Sequence, residues 1–505
     1  MASEKQSDAR DIAKGAMINF IGVIARSSNI ILFIVLGRLY GVEITGMYIL
    51  TRASMDVISK LGILGLDRGI LTLASRYHAE GKDEDVYRVI GQAFFIGGIA
   101  SLIVLAAVQF FAEALTLGFF KNPNLLLPFR IVGFAIPVWM CSAIFLFSTR
   151  AMRIMHYEVI TKSLVEPLFM LALATAFYFL DGGIVGLSIA LLSSLSIGAI
   201  VSAKLFSRVF SLKRVGGYIF HKHQRGALFR FSAPIGVYDL LNLLLQRMDL
   251  FLVGRLMPTA TAGVYGVAQE VASPLKSARQ AFDPIFIPVV SASYQLRDKS
   301  KMLLQYQNVT RWILLINAAL LGFMVLAAEP LLNIFGKSFG EGATVTYILA
   351  TAIVINGVAG LAELFILIDK PLINLANTIG TIIINGLLSL ILIPQYGIVG
   401  AAGAIVISFA CMNTARVLEV KWLYQLQPFT RFHAKGIIAF VTALAATLVI
   451  RDWLSTSLWI DMIFGFAYLP LYFIVLSMLG MAAEEKRAIQ KLRSKLTFRK
   501  SHNIR

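Results

Sequence analysis

Long apolar runs alternate with short polar breaks from one end of the chain to the other. They fall at roughly 12–37, 44–70, 86–111, 125–149, 160–180, 183–206, 228–254, 262–290, 308–328, 343–368, 371–393, 397–423, 433–451 and 459–481. A helical run of about twenty apolar residues crosses the hydrocarbon core and satisfies its own backbone hydrogen bonds. The pattern predicts an all-α polytopic membrane protein with about 14 transmembrane helices.

The runs repeat. Gly37-Arg38-Leu39, six residues and Gly46-Met47-Tyr48 return as Gly254-Arg255-Leu256, six residues and Gly263-Val264-Tyr265. Gly183-Ile184-Val185-Gly186 returns as Gly397-Ile398-Val399-Gly400, and Ala112-Glu113 with Phe119 as Ala328-Glu329 with Phe335. Three echoes in one order at a nearly constant offset predict two copies of a six-helix unit. Both copies start on the same side, so the repeat is parallel. The expected domains are a first six-helix bundle (1–206), a basic linker (207–227), a second six-helix bundle (228–425), two unmatched transmembrane helices (426–482) and a basic tail (483–505).

At 58% hydrophobic and 15% charged residues, the composition excludes a soluble protein of this length. The formal charge of +18 suggests nucleic acid until its placement is considered. Lys204, Arg208, Lys213, Arg214, Lys222, Arg225 and Arg230 surround the break after the sixth run, and Arg297, Lys299 and Lys301 follow the eighth. Lys486, Arg487, Lys491, Arg493, Lys495, Arg499, Lys500 and Arg505 fill the tail. The odd-numbered breaks hold few: Arg38, Lys121, Arg130, Arg255, Lys337 and Arg451. The charge therefore reports topology and places both termini in the cytoplasm, with no nucleic-acid partner. The N-terminus lacks a cleavable signal pattern, and the first helix is expected to act as its own insertion signal. Cys141 and Cys411 lie inside apolar runs and read as packing residues.

Ionisable groups inside such runs need a reason. In the second run Thr45, Arg52, Asp56, Ser59, Lys60 and Asp67 share one helical stripe, with Arg52, Asp56 and Lys60 stacked four apart, where side chains meet. An internal salt-bridged ladder is one reading. A wet cavity wall with an excess of positive charge is the other. The eighth run repeats the stripe with Gln269, Ser273, Lys276, Ser277, Gln280 and Asp283, and Pro274 and Pro284 are expected to break it. The seventh has Tyr238, Asn242, Gln246 and Asp249 on one face with Arg247 off it; the first offers Asn19, Arg26 and Asn29. The candidate cavity residues are Arg26, Arg52, Asp56, Lys60, Gln246, Arg247, Asp249 and Lys276. Glu166, Arg311 and Glu363 divide evenly between cavity and helix-end roles, while Arg150, Arg153 and His156 read as interfacial. Arg38 and Arg255 are expected to cap helix C-termini, and Gly37, Gly46, Gly254 and Gly263 to serve turns and close packing. No phosphate-cradling loop and no nucleophile–base set is present, so no catalytic residue and no cofactor is assigned. His221 and His223 form a lone pair in a basic segment and are not assigned to a metal.

Arg247-Met248-Asp249, Gly254-Arg255-Leu256 and Gly263-Val264-Tyr265 with Ala268 resemble the bacterial polysaccharide flippases of the O-antigen type, within the multidrug/oligosaccharidyl-lipid/polysaccharide exporter superfamily. The resemblance implies a V-shaped pair of bundles in the bacterial inner membrane. It implies alternating access that moves polyprenyl-diphosphate-linked oligosaccharide to the outer leaflet, with cavity cations holding diphosphate or acidic sugars. By position these are Arg26, Arg52, Lys60, Arg247 and Lys276. Asp56 or Asp249 is a candidate for H⁺ or Na⁺ coupling, and the basic tail is a candidate dock for glycosyltransferase or polymerase partners. Lipid II flippases, a sister group, carry an Arg-Asp pair after a glycine in the first helix; Ile24-Ala25-Arg26-Ser27-Ser28 lacks it. The rivals are a cation-coupled drug or metabolite antiporter, a polysaccharide polymerase or ligase, and a structural partner docked through its basic tail. The short, base-poor odd breaks speak against the polymerase and for a transporter over an enzyme.

Overall fold

The computed structural model describes residues 28–220, 225–296, 298–454 and 458–480, and every regular element among them is a helix. Among the described residues, eleven helices are long and apolar enough to cross a bilayer, which makes this a multi-pass membrane protein. Arg26, Asn19, His221, His223, Lys222 and the basic tail lie outside the described residues.

Eleven helices and fourteen apolar runs differ because the chain bends where residue chemistry permits. Ser28–Ile63 runs across the expected break between the first two spans, and its backbone leaves helical geometry only at Gly41 (φ 76°, ψ 179°). A side chain is strained at that φ, so the bend falls on a glycine. Expected span two ends early, at Leu64 and Gly65 (φ 50° and 72°), and Leu66–Ala79 starts a new helix. Pro371–Tyr424 is continuous except at Gly397 (φ 60°, ψ −138°). Expected span eight is Thr259–Ala272, one tight turn at Ser273–Leu275 and Lys276–Gln295. Pro274 lies in that turn, where its missing N–H costs no helical bond. The break expected at position 284 does not occur: the helix runs through it.

The chain divides into two compact units. The first is Met1–Val267 with Ile334–Phe339 and Gly386–Ala401; the second is Ala268–Asn333, Gly340–Asn385 and Ala402–Arg505. The first unit's core gathers Ile63, Leu66, Ile70, Val89, Ile90 and Ile144 around an aromatic stack of Phe206 on Phe210, whose centroids are 4.9 Å apart. In the second unit, Arg431–Trp453 and Leu458–Met478 pack on Lys299–Asn333. Ala318, Ala319, Ala439 and Ala443 let those backbones approach, and Tyr468 donates its hydroxyl to the Ala318 carbonyl at 3.2 Å. Ile103, Phe110, Phe179, Ile391 and Phe466 stay exposed, as an apolar solvent allows.

The repeat is visible in backbone geometry. Gly183 and Gly397, equivalent in the two copies, both take a positive φ (51° and 60°). Three residues on, a methyl group on Gly186 would lie 2.9 Å from Phe177 Cβ, and one on Gly400 would overlap the Leu392 carbonyl.

Candidate functional site

The site is built on the opening motif of each copy, and its contacts fall within the first unit. Gly46 and Gly263 meet backbone to backbone. A Cβ on Gly263 would lie 3.0 Å from Gly46 N, and one on Gly46 would lie 2.9 Å from Gly263 N and overlap the Thr259 carbonyl. Two residues further along each helix stands a fully buried tyrosine, Tyr48 or Tyr265. The Tyr48 hydroxyl accepts a 3.0 Å bond from Arg52 Nη1, and the Tyr265 hydroxyl donates to Asp249 Oδ2 at 2.5 Å. The repeated glycine sets the crossing, and the repeated tyrosine positions a charged candidate beside it.

Arg52, Asp56 and Lys60 lie on one helix as expected, but their ion pairs reach other helices. Asp56, 46% exposed, pairs with Arg247 (28% exposed) at 3.7 Å. Lys60, 24% exposed, pairs with Asp67 at 3.4 Å, and its ammonium stands 5.5 Å from the centre of the Trp139 ring. Asp67 also accepts the Arg68 backbone N–H at 2.9 Å, and the Arg68 side chain bridges to Asp239 at 3.0 Å. Glu166, bonded to Lys162 at 2.7 Å, lies within electrostatic reach of Arg52. Asp67, from the same run, and Asp239 and Glu166, from its surroundings, bring carboxylates to this line, Asp239 and Glu166 each with a cation of its own. The polar surface is zwitterionic and partly open, and its carboxylates hold cations that an incoming anion would contest.

Gln246 is exposed and donates to the Asn242 carbonyl at 3.3 Å, while Asp249 is 1% exposed. Lys276 is exposed at the start of Lys276–Gln295, in the second unit. The structure thus brings Asp56 to Arg247 and aligns Arg52 with Lys60. Asp239, Arg68 and Trp139 were missed, although Arg68 and Asp239 each interrupt an apolar stretch.

Arg38 and Arg255 do cap helix ends, but not their own. Arg38 Nε donates to the Ile334 carbonyl at 2.7 Å, just past Lys299–Asn333. Arg255 Nη1 donates to the Phe119 and Gly118 carbonyls at 3.0 and 3.2 Å, where the helix that starts at Asp83 ends. Each repeated arginine holds the third-span end of the other copy. The expected turn-forming role of the repeated glycines falls instead to Gly41.

The second unit carries its own buried polar network. Glu363 accepts from Arg279 at 3.1 Å and from Arg416 at 3.3 Å, and Arg416 also donates to Asn374 Oδ1 at 2.8 Å. Arg279 reaches Asp283 at 3.6 Å and the Asn356 carbonyl at 3.3 Å, past Gly360, where a Cβ would overlap the guanidinium. Arg416 is 2% exposed, and the sequence reading overlooked it inside the twelfth run. Glu363 is here a structural hub joining three helices.

Comparison with known proteins agrees with this architecture. The structure described as "Lipid II flippase MurJ, inward closed conformation" superposes with a TM-score of 0.74 at 13% identity, over 92% of this chain and 98% of that one. An inward-facing multidrug resistance MATE family transporter of the MOP superfamily gives a TM-score of 0.65 at 14% identity, over 80% of this chain and 94% of that one. At such identities the likeness is one of fold. In sequence, the "Probable low-salt glycan biosynthesis flippase Agl15" of Haloferax volcanii is 27% identical over 199 residues, 39% of this chain, and the match spans only 42% of that relative. The family model described as "Polysaccharide biosynthesis protein" matches residues 35–344, more than half of the chain and the whole stretch that carries the Gly-Arg and Gly-x-Tyr repeats, and the chain belongs to that family.

Proposed function

We propose that this chain is a flippase that carries a polyprenyl-diphosphate-linked oligosaccharide across a bacterial inner membrane by alternating access, with both termini cytoplasmic. The supporting observation is the partly open line of ion pairs around Arg52, Lys60 and Arg247 on membrane-spanning helices. Such a line is costly in lipid unless it meets water or a polar cargo. Diphosphate oxygens would exchange for Asp56 and Asp67 as partners of these cations, Arg binding in a fork and Lys as a point charge. The freed carboxylates would then face the sugar hydroxyls, and the lipid tail would remain in the bilayer. Arg26 and Lys276 are further candidate cations. Asp249, buried against Tyr265, is the candidate for H⁺ or Na⁺ coupling. Transport without catalysis on this chain, and service to glycosyltransferase or polymerase partners, belong to the same reading.

The test is polysaccharide export in cells carrying Arg52→Ala or Lys60→Ala. Export should fall at least tenfold at unchanged membrane abundance, with Arg52→Lys partly active. Full export by both alanine variants would overturn the assignment.

A further inference from the structure

A swapped pair of arginine contacts and one glycine crossing lie where the odd-numbered breaks meet, which the charge distribution along the sequence assigns to the face opposite the basic segments. Arg38 of the first copy binds the Ile334 carbonyl, and Arg255 of the second binds the Gly118 and Phe119 carbonyls. The receiving segments are themselves repeat-equivalent, so the two contacts are one contact made twice by pseudo-twofold symmetry. Gly37 and Gly254 clear the way. A Cβ on Gly37 would overlap the Phe335 carbonyl, and one on Gly254 would lie 2.6 Å from Leu50. Asn122 Nδ2 adds a bond to Thr259 Oγ1 at 2.8 Å between the same two copies.

We propose that this set is a latch that closes the outer face of the transporter and must open in each cycle. Three features favour a latch over a permanent seam. The arginines bind bare main-chain carbonyls rather than carboxylates. The guanidinium of Arg38 lies at an exposed hydrogen bond, as does one bond of Arg255, so water can replace the protein partner when the contact parts. At the Gly46–Gly263 crossing itself backbone meets backbone, so neither glycine has a side chain to be drawn out of the other helix as the contact parts. The latch is also wired to the charged line. Tyr48 and Tyr265, two residues beyond the crossing, bond Arg52 and Asp249, so cargo or ion binding there bears directly on the crossing helices.

The inference rests on the alternating-access reading but not on the identity of the cargo, and one arm of its test needs no cargo. In a chain with Cys141→Ala and Cys411→Ala, Thr51→Cys serves as reporter; Thr51 is buried just inward of the crossing. Labelling of intact cells with a membrane-impermeant thiol reagent should be slow, and Arg38→Ala with Arg255→Ala should speed it about tenfold. Unchanged labelling at normal abundance would overturn the latch. Should the double variant fail to accumulate, Asn122→Cys with Thr259→Cys decides. Oxidative cross-linking should stop export and dithiothreitol restore it, whereas a cross-linked protein exporting at the wild-type rate would show that the contact never opens. Faster labelling without any glycan phenotype would keep the latch and remove the proposed cargo.

Discussion

Glu363 and Lys60 show how differently one kind of group behaves in two settings. Lys60 has one carboxylate partner, an aromatic ring and residual exposure, so its loss leaves Asp67 still bonded to the Arg68 backbone. Glu363 faces two guanidiniums, and one of them, Arg416, is almost fully buried. Removing the shared carboxylate leaves uncompensated charge in a low-dielectric setting, which typically costs about 3–5 kcal/mol. Glu363→Ala should therefore lower the detergent-solubilised unfolding temperature strongly, while Lys60→Ala should change it little and act on export instead. Equal thermal shifts in the two variants would contradict the division into structural and cargo-facing groups. The sequence marked Glu363 as undecided and missed Arg416, because a single basic residue near the end of an apolar run has the look of an interfacial anchor. Only its partners, 53 and 42 positions away, reveal a buried network.

At the level of helices, the repeated motif was legible while its partners were not. Identical spacing of Gly-Arg-Leu and Gly-x-Tyr identified the duplication directly from the letters. The same letters placed the arginines on their own helix ends, since local capping is the default when only one helix is in view. Symmetry exchanges the partners, and exchange is a long-range property that periodicity cannot carry. Helix breaks were legible only in part, because Pro274 ends a helix whereas position 284 is absorbed into one. The glycine crossing yields a sharp contrast. Gly263→Ala would drive a methyl into the Val42 carbonyl and the Gly46 backbone, neither of which can rotate aside, whereas Gly98→Ala meets nothing within 4 Å. Overpacking of this kind costs about 1–3 kcal/mol. Thermal unfolding should show Gly263→Ala destabilised by roughly that much and Gly98→Ala unchanged or slightly stabilised, since alanine is the better helix former. Matching stability in the two would mean that the crossing is looser than its backbone contacts require.

For the whole molecule, the membrane potential supplies a test that local contacts cannot. Under the proposed function, a cargo whose diphosphate carries two negative charges would leave a negative interior, and each charge moved across gains about 2.3 kcal/mol per 100 mV. The protein's own charged line changes that sum only if it crosses the field with the cargo. The pairings of Lys60 with Asp67, Arg247 with Asp56 and Arg68 with Asp239 are each neutral, so these three pairs add little to it. Outward transfer should therefore be electrogenic with the sign of the cargo. In proteoliposomes holding a labelled polyprenyl-diphosphate sugar, an inside-negative potassium-diffusion potential should speed transfer from the basic-loop side to the opposite side, and reversing the potential should slow it. Asp249→Asn separates this drive from ion coupling. If the potential alone suffices, the variant keeps its voltage response; if a cation entering at Asp249 compensates the phosphates, the wild type is nearly voltage-insensitive and the variant becomes strongly voltage-dependent or stops. A wild-type rate that ignores potential, pH gradient and Na⁺ gradient alike would leave only the cargo's own concentration gradient as the driving force and would favour a neutral cargo over a diphosphate.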